Sequence, residues 1–288
     1  MKAPLTQKKA AWAKQFKPQL MKGLPIPVNA GVQEWYAGKM ETLVTAMHQE
    51  YKRRLLELFK AEGQQLGYSQ DASLASQARI LLNKLHRNFG SVFEKKAVSF
   101  AEGMLRRTNK ENASTVHASL KELSGGLAIK TGNISGKMRE LLKAAVEENV
   151  SYIGSIQAKY HADLSGAVMR SITTGNGLAD LVPAIEKLGV DTKSRAHAIA
   201  LDQSRRANAF MARQRMQDSG LTHFRWRHTG RPKKPREYHR DVLDGQVFEY
   251  ANPPIIDPKT GQRGFPGDLP GCTCEEEAVI VLGDGEYL

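Results

Sequence analysis

Apolar residues recur at steps of three and four over most of the stretch from Gln33 to Gly220, and no other feature restricts the possible folds as strongly. Met40, Leu43, Val44, Met47, Tyr51, Leu55, Leu58 and Phe59 share one side of a helix, and Gly63 and Gly67 close that pattern. A second stripe runs through Ala78, Leu81, Leu82, Leu85, Phe89, Val92 and Phe93, then Val98, Phe100 and Met104. Asn112 to Leu123 reads as a further short helix, ended by Ser124-Gly-Gly. From about Ser135 to Ser171 the residues Ile134, Met138, Leu141, Ala145, Ile153, Ile156, Tyr160, Leu164 and Ala167 keep to one seam, with Asn149 as its polar member. Such a helix is about 55 Å long at roughly 1.5 Å per residue. A short helix with Pro183 in its first turns is expected over 178–188. Another, capped by Asp191 or Thr192, is expected to run to Gly220.

After Gly220 the period becomes two. Phe224, Trp226 and His228 alternate with Arg225 and Arg227, which predicts a strand. Val247, Phe248 and Tyr250 predict a second strand, and Ala278 to Leu282 a third. The expected fold class is mainly α: a long helical body with a small C-terminal α+β cap. The sequence divides by character into a basic arm at 1–30, the helical body at 31–190 and the cap at 191–288. The arm holds six lysines and four prolines and no acidic residue, with Trp12, Phe16, Leu20 and Leu24 spaced four apart. A short helix is expected at Lys8–Phe16, and the arm as a whole is expected to order on a partner.

The formal net charge of the 288 residues is +12. It is carried by the helical part, because residues 221–288 hold nine basic and eleven acidic side chains. A basic helical surface suits either solvent or phosphates. No apolar run is long enough to cross a bilayer as a helix, so no membrane partner is expected.

The cap concentrates the chemistry. Cys272 and Cys274 are the chain's two cysteines, and His239 lies upstream of them. Two thiolates and an imidazole are zinc-type ligands, and a structural site needs a fourth, for which His228, His223 and Asp244 are candidates. The alternative is two small buried thiols beside a histidine bonded to a loop carbonyl. Cys274, His239 and Asp244 would also supply a nucleophile, a base and an orienting group. No glycine loop frames either cysteine, and Glu275, Glu276 and Glu277 would oppose a thiolate. No catalytic residue and no bound cofactor is therefore expected, with structural zinc at His239, Cys272 and Cys274 as the stated exception.

The order of these elements resembles the phage Mu F-like minor head proteins, also called phage head morphogenesis proteins. The series is Arg195-Ala196 with Ile199-Ala200, then Trp226, Arg236 and His239, Leu243-Asp244-Gly245, Pro266-Gly267 and Cys272/Cys274. It covers about residues 150–282, and Thr273 stands where relatives usually carry arginine. The resemblance implies a structural virion protein rather than an enzyme. It implies a place in the phage head, with host cytoplasm as the site of assembly, and a role in head assembly, DNA packaging or DNA delivery. The implied partners are portal, capsid or scaffold proteins, packaged DNA, and further copies of the chain. A basic protein coating DNA inside the virion is the alternative from another class, and a cysteine-dependent enzyme is a third.

Overall fold

The computed structural model describes residues 19–63, 71–127, 129–230 and 236–282. The expected helix at Lys8–Phe16 lies outside them. The chain is mainly helical with a small strand-bearing region near its C-terminal end, as the periodicity predicts. Four helices carry most of it: α1 (Ala30–Gly63), α2 (Asp71–Leu123), α3 (Gly136–Thr173) and α4 (Leu178–Asp218). Strand β1 (Gln19–Lys22) precedes them, and β2 (His223–Arg227), β3 (Val247–Glu249), β4 (Ile255–Asp257), β5 (Gln262–Arg263) and β6 (Glu275–Leu282) follow.

Two compact units form, and neither is one continuous block of sequence. One comprises residues 29–108 and 139–207, and the other 1–28, 109–138 and 208–288. Helices α2 and α4 each run from one unit into the other.

The first unit is built from α1, most of α2, most of α3 and most of α4. Its core holds Tyr36, Met40, Met47, Tyr51 and Leu55 of α1, Leu82, Phe93 and Met104 of α2, and Ile153, Tyr160 and Leu164 of α3, all buried. Asn149 is satisfied on this seam: its Oδ1 accepts from the Tyr36 hydroxyl at 2.9 Å, and its Nδ2 donates to the Ala145 carbonyl at 2.7 Å. The Asn29 side chain caps α1 by accepting from the Val32 N–H at 3.1 Å.

Two expected helix breaks are absent. Asn112 does not start a new helix; its Nδ2 donates to Asn208 at 2.8 Å inside the second unit, and α2 continues through it. Thr192 does not cap a helix either. It is buried within α4, which passes through Gly189 without interruption. A Cβ on Gly189 would lie 2.6 Å from the His48 ring, so this glycine makes room for a neighbouring side chain. Val92, Val98 and Ile134 were expected on apolar seams and are exposed.

The second unit contains a four-stranded antiparallel sheet in the order β1-β6-β2-β3 and a two-stranded pair, β4-β5. The described end of the basic arm belongs to this sheet. Residues 19–22 pair with β6, and Ile26 is buried against Val116, Leu120, Met216 and Ala278. A second cluster holds Phe224, Trp226, Leu243, Ile256, Cys272 and Cys274. Strand β6 begins at Glu275, three residues before the apolar run, because each glutamate meets an arginine. Arg227 reaches Glu275 at 3.2 Å, Arg213 reaches Glu276 at 2.7 Å and Arg225 reaches Glu277 at 2.7 Å.

Asp244-Gly245 does not form a hairpin. Asp244 has φ −59° and ψ 133°, Gly245 has φ 78°, and the Gln246 N–H bonds the Leu243 carbonyl at 3.1 Å. This is a type II turn closing a six-residue π-helical turn, Tyr238–Leu243, rather than a tight link between strands. Pro266-Gly267 makes a second type II turn, with Gly267 at φ 87° and the Asp268 N–H on the Phe265 carbonyl at 3.1 Å.

Candidate metal centre

The π turn exists where the sequence shows no periodicity, and it turns His239 inward. His239 is buried, while Arg236, Arg240 and Asp241 around it stay exposed. Its Nε2–H donates to the Ile256 carbonyl of β4 at 2.9 Å. A carbonyl only accepts, so this bond leaves Nδ1 as the unprotonated nitrogen. The Trp226 indole packs edge-on against the imidazole, with ring centroids 5.0 Å apart.

Two thiols face that nitrogen. Cys272 Sγ is 3.6 Å and Cys274 Sγ 3.7 Å from His239 Nδ1, and the three atoms lie within 4.8 Å of one another. Both cysteines are free and buried. The backbone that presents them is pinned from several sides. Arg236 donates to the Pro270 carbonyl at 2.9 Å, the Cys272 N–H bonds the Leu269 carbonyl at 2.9 Å, and the Thr229 hydroxyl donates to the Thr273 carbonyl at 3.1 Å. The Thr273 hydroxyl also accepts from the Thr229 hydroxyl at 3.0 Å.

The electrostatics favour one thiolate. A hydrogen bond from the Cys274 thiol holds the Cys272 thiol well below its ordinary range, against the effect of burial, and the Cys274 and Gly267 N–H groups add to it. Cys274 is pushed up by that same pairing, by burial and by the charge on Cys272. The glutamates that the sequence set against a thiolate are each paired with an arginine. A small recess opens beside the sulfurs, lined by His228, Arg236, His239, Gly271, Cys272, Thr273 and Cys274.

Of the three residues proposed for a fourth ligand, His228 alone lines this recess. His223 sits at the start of β2, 3.7 Å from Glu249. Asp244 accepts the His228 backbone N–H at 2.7 Å and so fixes the position of that histidine. Asp244 does not orient His239, since the imidazole N–H is committed to Ile256. Among the other motif residues, Gly245 and Gly267 form the turns, Pro266 is buried beside the second of them, and Arg195 lies in the other unit, 3.3 Å from the Ser155 hydroxyl. Sequence reasoning missed the Ile256 carbonyl and Thr229. No side-chain signal could have exposed the first.

The arginines of the C-terminal half of α4 are partly internal. Arg206 pairs with Glu148, and Arg213 with Glu276 and Asp268. Arg215 is buried and donates to the Thr131 carbonyl at 3.0 Å and to Asn112 Oδ1 at 2.6 Å.

Comparison with known proteins places this region. The chain is 28% identical over 278 residues to an uncharacterized protein of Haemophilus influenzae; the match takes in 96% of this chain and 59% of the relative, so the chain spans less than two thirds of its relative's length. No solved structure matches. A family model described as Phage Mu protein F like protein matches residues 162–276, a span that includes α4, the π turn, His239, Cys272 and Cys274. Over residues 162–276 the chain is thus similar to the Phage Mu protein F like family, the one that its order of motifs resembles.

Proposed function

We propose that this chain is a structural minor head protein of a tailed bacteriophage, acting in head assembly at the portal vertex or the capsid interior. The observation that carries the reading is the Mu F-like match over 162–276, which coincides with the motif series from Arg195 to Cys274. Partners of this reading are portal, capsid or scaffold proteins and further copies of the chain. No described helix is long and apolar enough to cross a membrane. The reading assigns no catalytic residue: the buried histidine beside the two thiols gives its N–H to a backbone carbonyl, not to a carboxylate.

A DNA-coating role is the second reading, favoured by the net charge of +12. Arg206, Arg213 and Arg215 are engaged within the fold, so that role would fall to other basic residues.

The test is mass spectrometry of purified particles, combined with deletion of the coding sequence. The expected result is the chain at low copy in particles, with fewer DNA-filled heads when it is absent. A chain confined to cell extract, with heads forming and filling normally without it, overturns the proposal. Titration of the purified protein on DNA at rising salt separates the two readings. A phosphate-driven complex weakens steeply with salt, whereas an apolar contact with a head protein does not.

A further inference from the structure

We propose that the second unit holds one structural zinc ion, bound by His239 Nδ1, Cys272 Sγ and Cys274 Sγ, with His228 turning into the adjacent recess to complete the tetrahedron. This inference does not depend on the head-protein reading.

The spacing of the three atoms carries it. Zinc bonds sulfur at about 2.3 Å and imidazole nitrogen at about 2.0 Å, so a tetrahedral site places nitrogen and sulfur roughly 3.6 Å apart. The two nitrogen–sulfur distances in the protein are 3.6 and 3.7 Å. With Nε2–H donated to Ile256, Nδ1 has one lone pair, so one thiol at most can donate to it, yet both sulfurs stand at nearly the same distance from it. A metal accounts for both distances at once, because both sulfurs become its ligands. The Ile256 carbonyl then plays the part usual for a ligating histidine, fixing tautomer and ring orientation from behind.

A further observation points to charge on the sulfurs. Trp226 Nε1 is the buried side-chain donor without a hydrogen-bond partner among the described residues. It lies in the same buried cluster as Cys272 and Cys274. Such a donor is costly against a neutral apolar wall and stabilising against a metal-bound thiolate. The recess lies on the side where a fourth ligand would enter, and the Gly230 N–H at 3.3 Å is the contact His228 Nδ1 would give up. Zinc would fasten the π turn, β4 and the loop before β6, three segments with few regular backbone bonds between them.

The test uses the full-length protein, purified from zinc-supplemented medium and dialysed. The expected result is one zinc per chain. After removal by a chelator, cobalt(II) should restore a thiolate-to-metal charge-transfer band and the intense visible bands of a tetrahedral site, and zinc should raise Tm relative to the apo protein. Cys272→Ser, Cys274→Ser and His239→Ala should each weaken metal binding by at least on the order of a hundredfold. Because those variants risk misfolding, the cobalt titration of the native sequence stands as the independent measurement. His228→Ala, at a partly exposed position, should fold and bind more weakly. Unchanged affinity in that variant overturns His228 as fourth ligand. Substoichiometric zinc together with no charge-transfer band on cobalt addition overturns the site.

Discussion

Arg213→Met tests what joins helix α4 to the sheet. Arg213 Nε donates to Glu276 Oε1 at 2.7 Å and Nη2 to Asp268 Oδ1 at 3.1 Å, while the guanidinium lies 3.8 Å over the Phe265 ring. The Glu276 side chain is 1% exposed and Arg213 15%. Methionine retains much of the volume and removes the charge, so Glu276 keeps only the Tyr250 hydroxyl, 3.2 Å away. Removing one partner of a buried pair costs about 3–5 kcal/mol, against about 0–1 kcal/mol for exposed pairs. That is a large part of the 5–15 kcal/mol that typically holds a domain.

The loss should depend on pH. Burial raises the Glu276 carboxyl above its ordinary 4.5, opposed by Arg213. Without Arg213 the opposition goes and the folded-state value rises further. The protonated carboxyl is then the form the fold prefers, so its stabilising effect is full below the unfolded value and is lost as pH rises through the folded one. The destabilisation should therefore be larger at pH 8 than at pH 5. Urea unfolding read by amide exchange in β2 and β6 measures it, since two units need not unfold together. The double variant with Glu276→Gln should recover part of the loss. A loss below about 1 kcal/mol at pH 8, or one indifferent to pH, would refute the argument from a buried unpaired charge.

Four further outcomes concern the helical unit. Tyr36→Phe should cost about 1–3 kcal/mol by leaving Asn149 Oδ1 buried without its donor, measured by chemical denaturation. Gly103→Ala should destabilise by about 1–3 kcal/mol, because its Cβ would lie 2.7 Å from Trp35 Cη2 in the stack under Arg107. Gly38→Ala, with nothing within 4 Å of the new carbon, should stabilise by about 0.5–1 kcal/mol in the same melts. Burial lowers His48 and His161, and His86 lowers His161 further. The unfolded chain then takes up protons first as pH falls below about 6.5, so exchange protection in α1 and α3 should fall between pH 7 and 5. Unchanged protection would show that these imidazoles titrate as they do in water.

The helical body was legible because 3.6-residue periodicity is written along the chain, and a helix satisfies its backbone bonds from its own residues. The turn at Pro266-Gly267 follows equally from local chemistry, since proline presets φ and glycine takes the positive φ a type II turn needs. Helix continuity was not local. Gly189 resembles a break and instead accommodates His48, and Asn112 resembles a cap and instead meets Asn208. Glu275 to Glu277 look too polar for a strand until Arg227, Arg213 and Arg225 arrive from distant positions.

The candidate centre divides in the same way. His239, Cys272 and Cys274 were legible as ligand types, since thiolate and imidazole chemistry belongs to the side chains themselves. Tertiary structure alone decided that the three meet, that the Ile256 carbonyl fixes the tautomer, and that His228 rather than His223 or Asp244 lines the recess. A segment without regular periodicity has its shape set by contacts between residues far apart in sequence, and those contacts leave no local pattern to read.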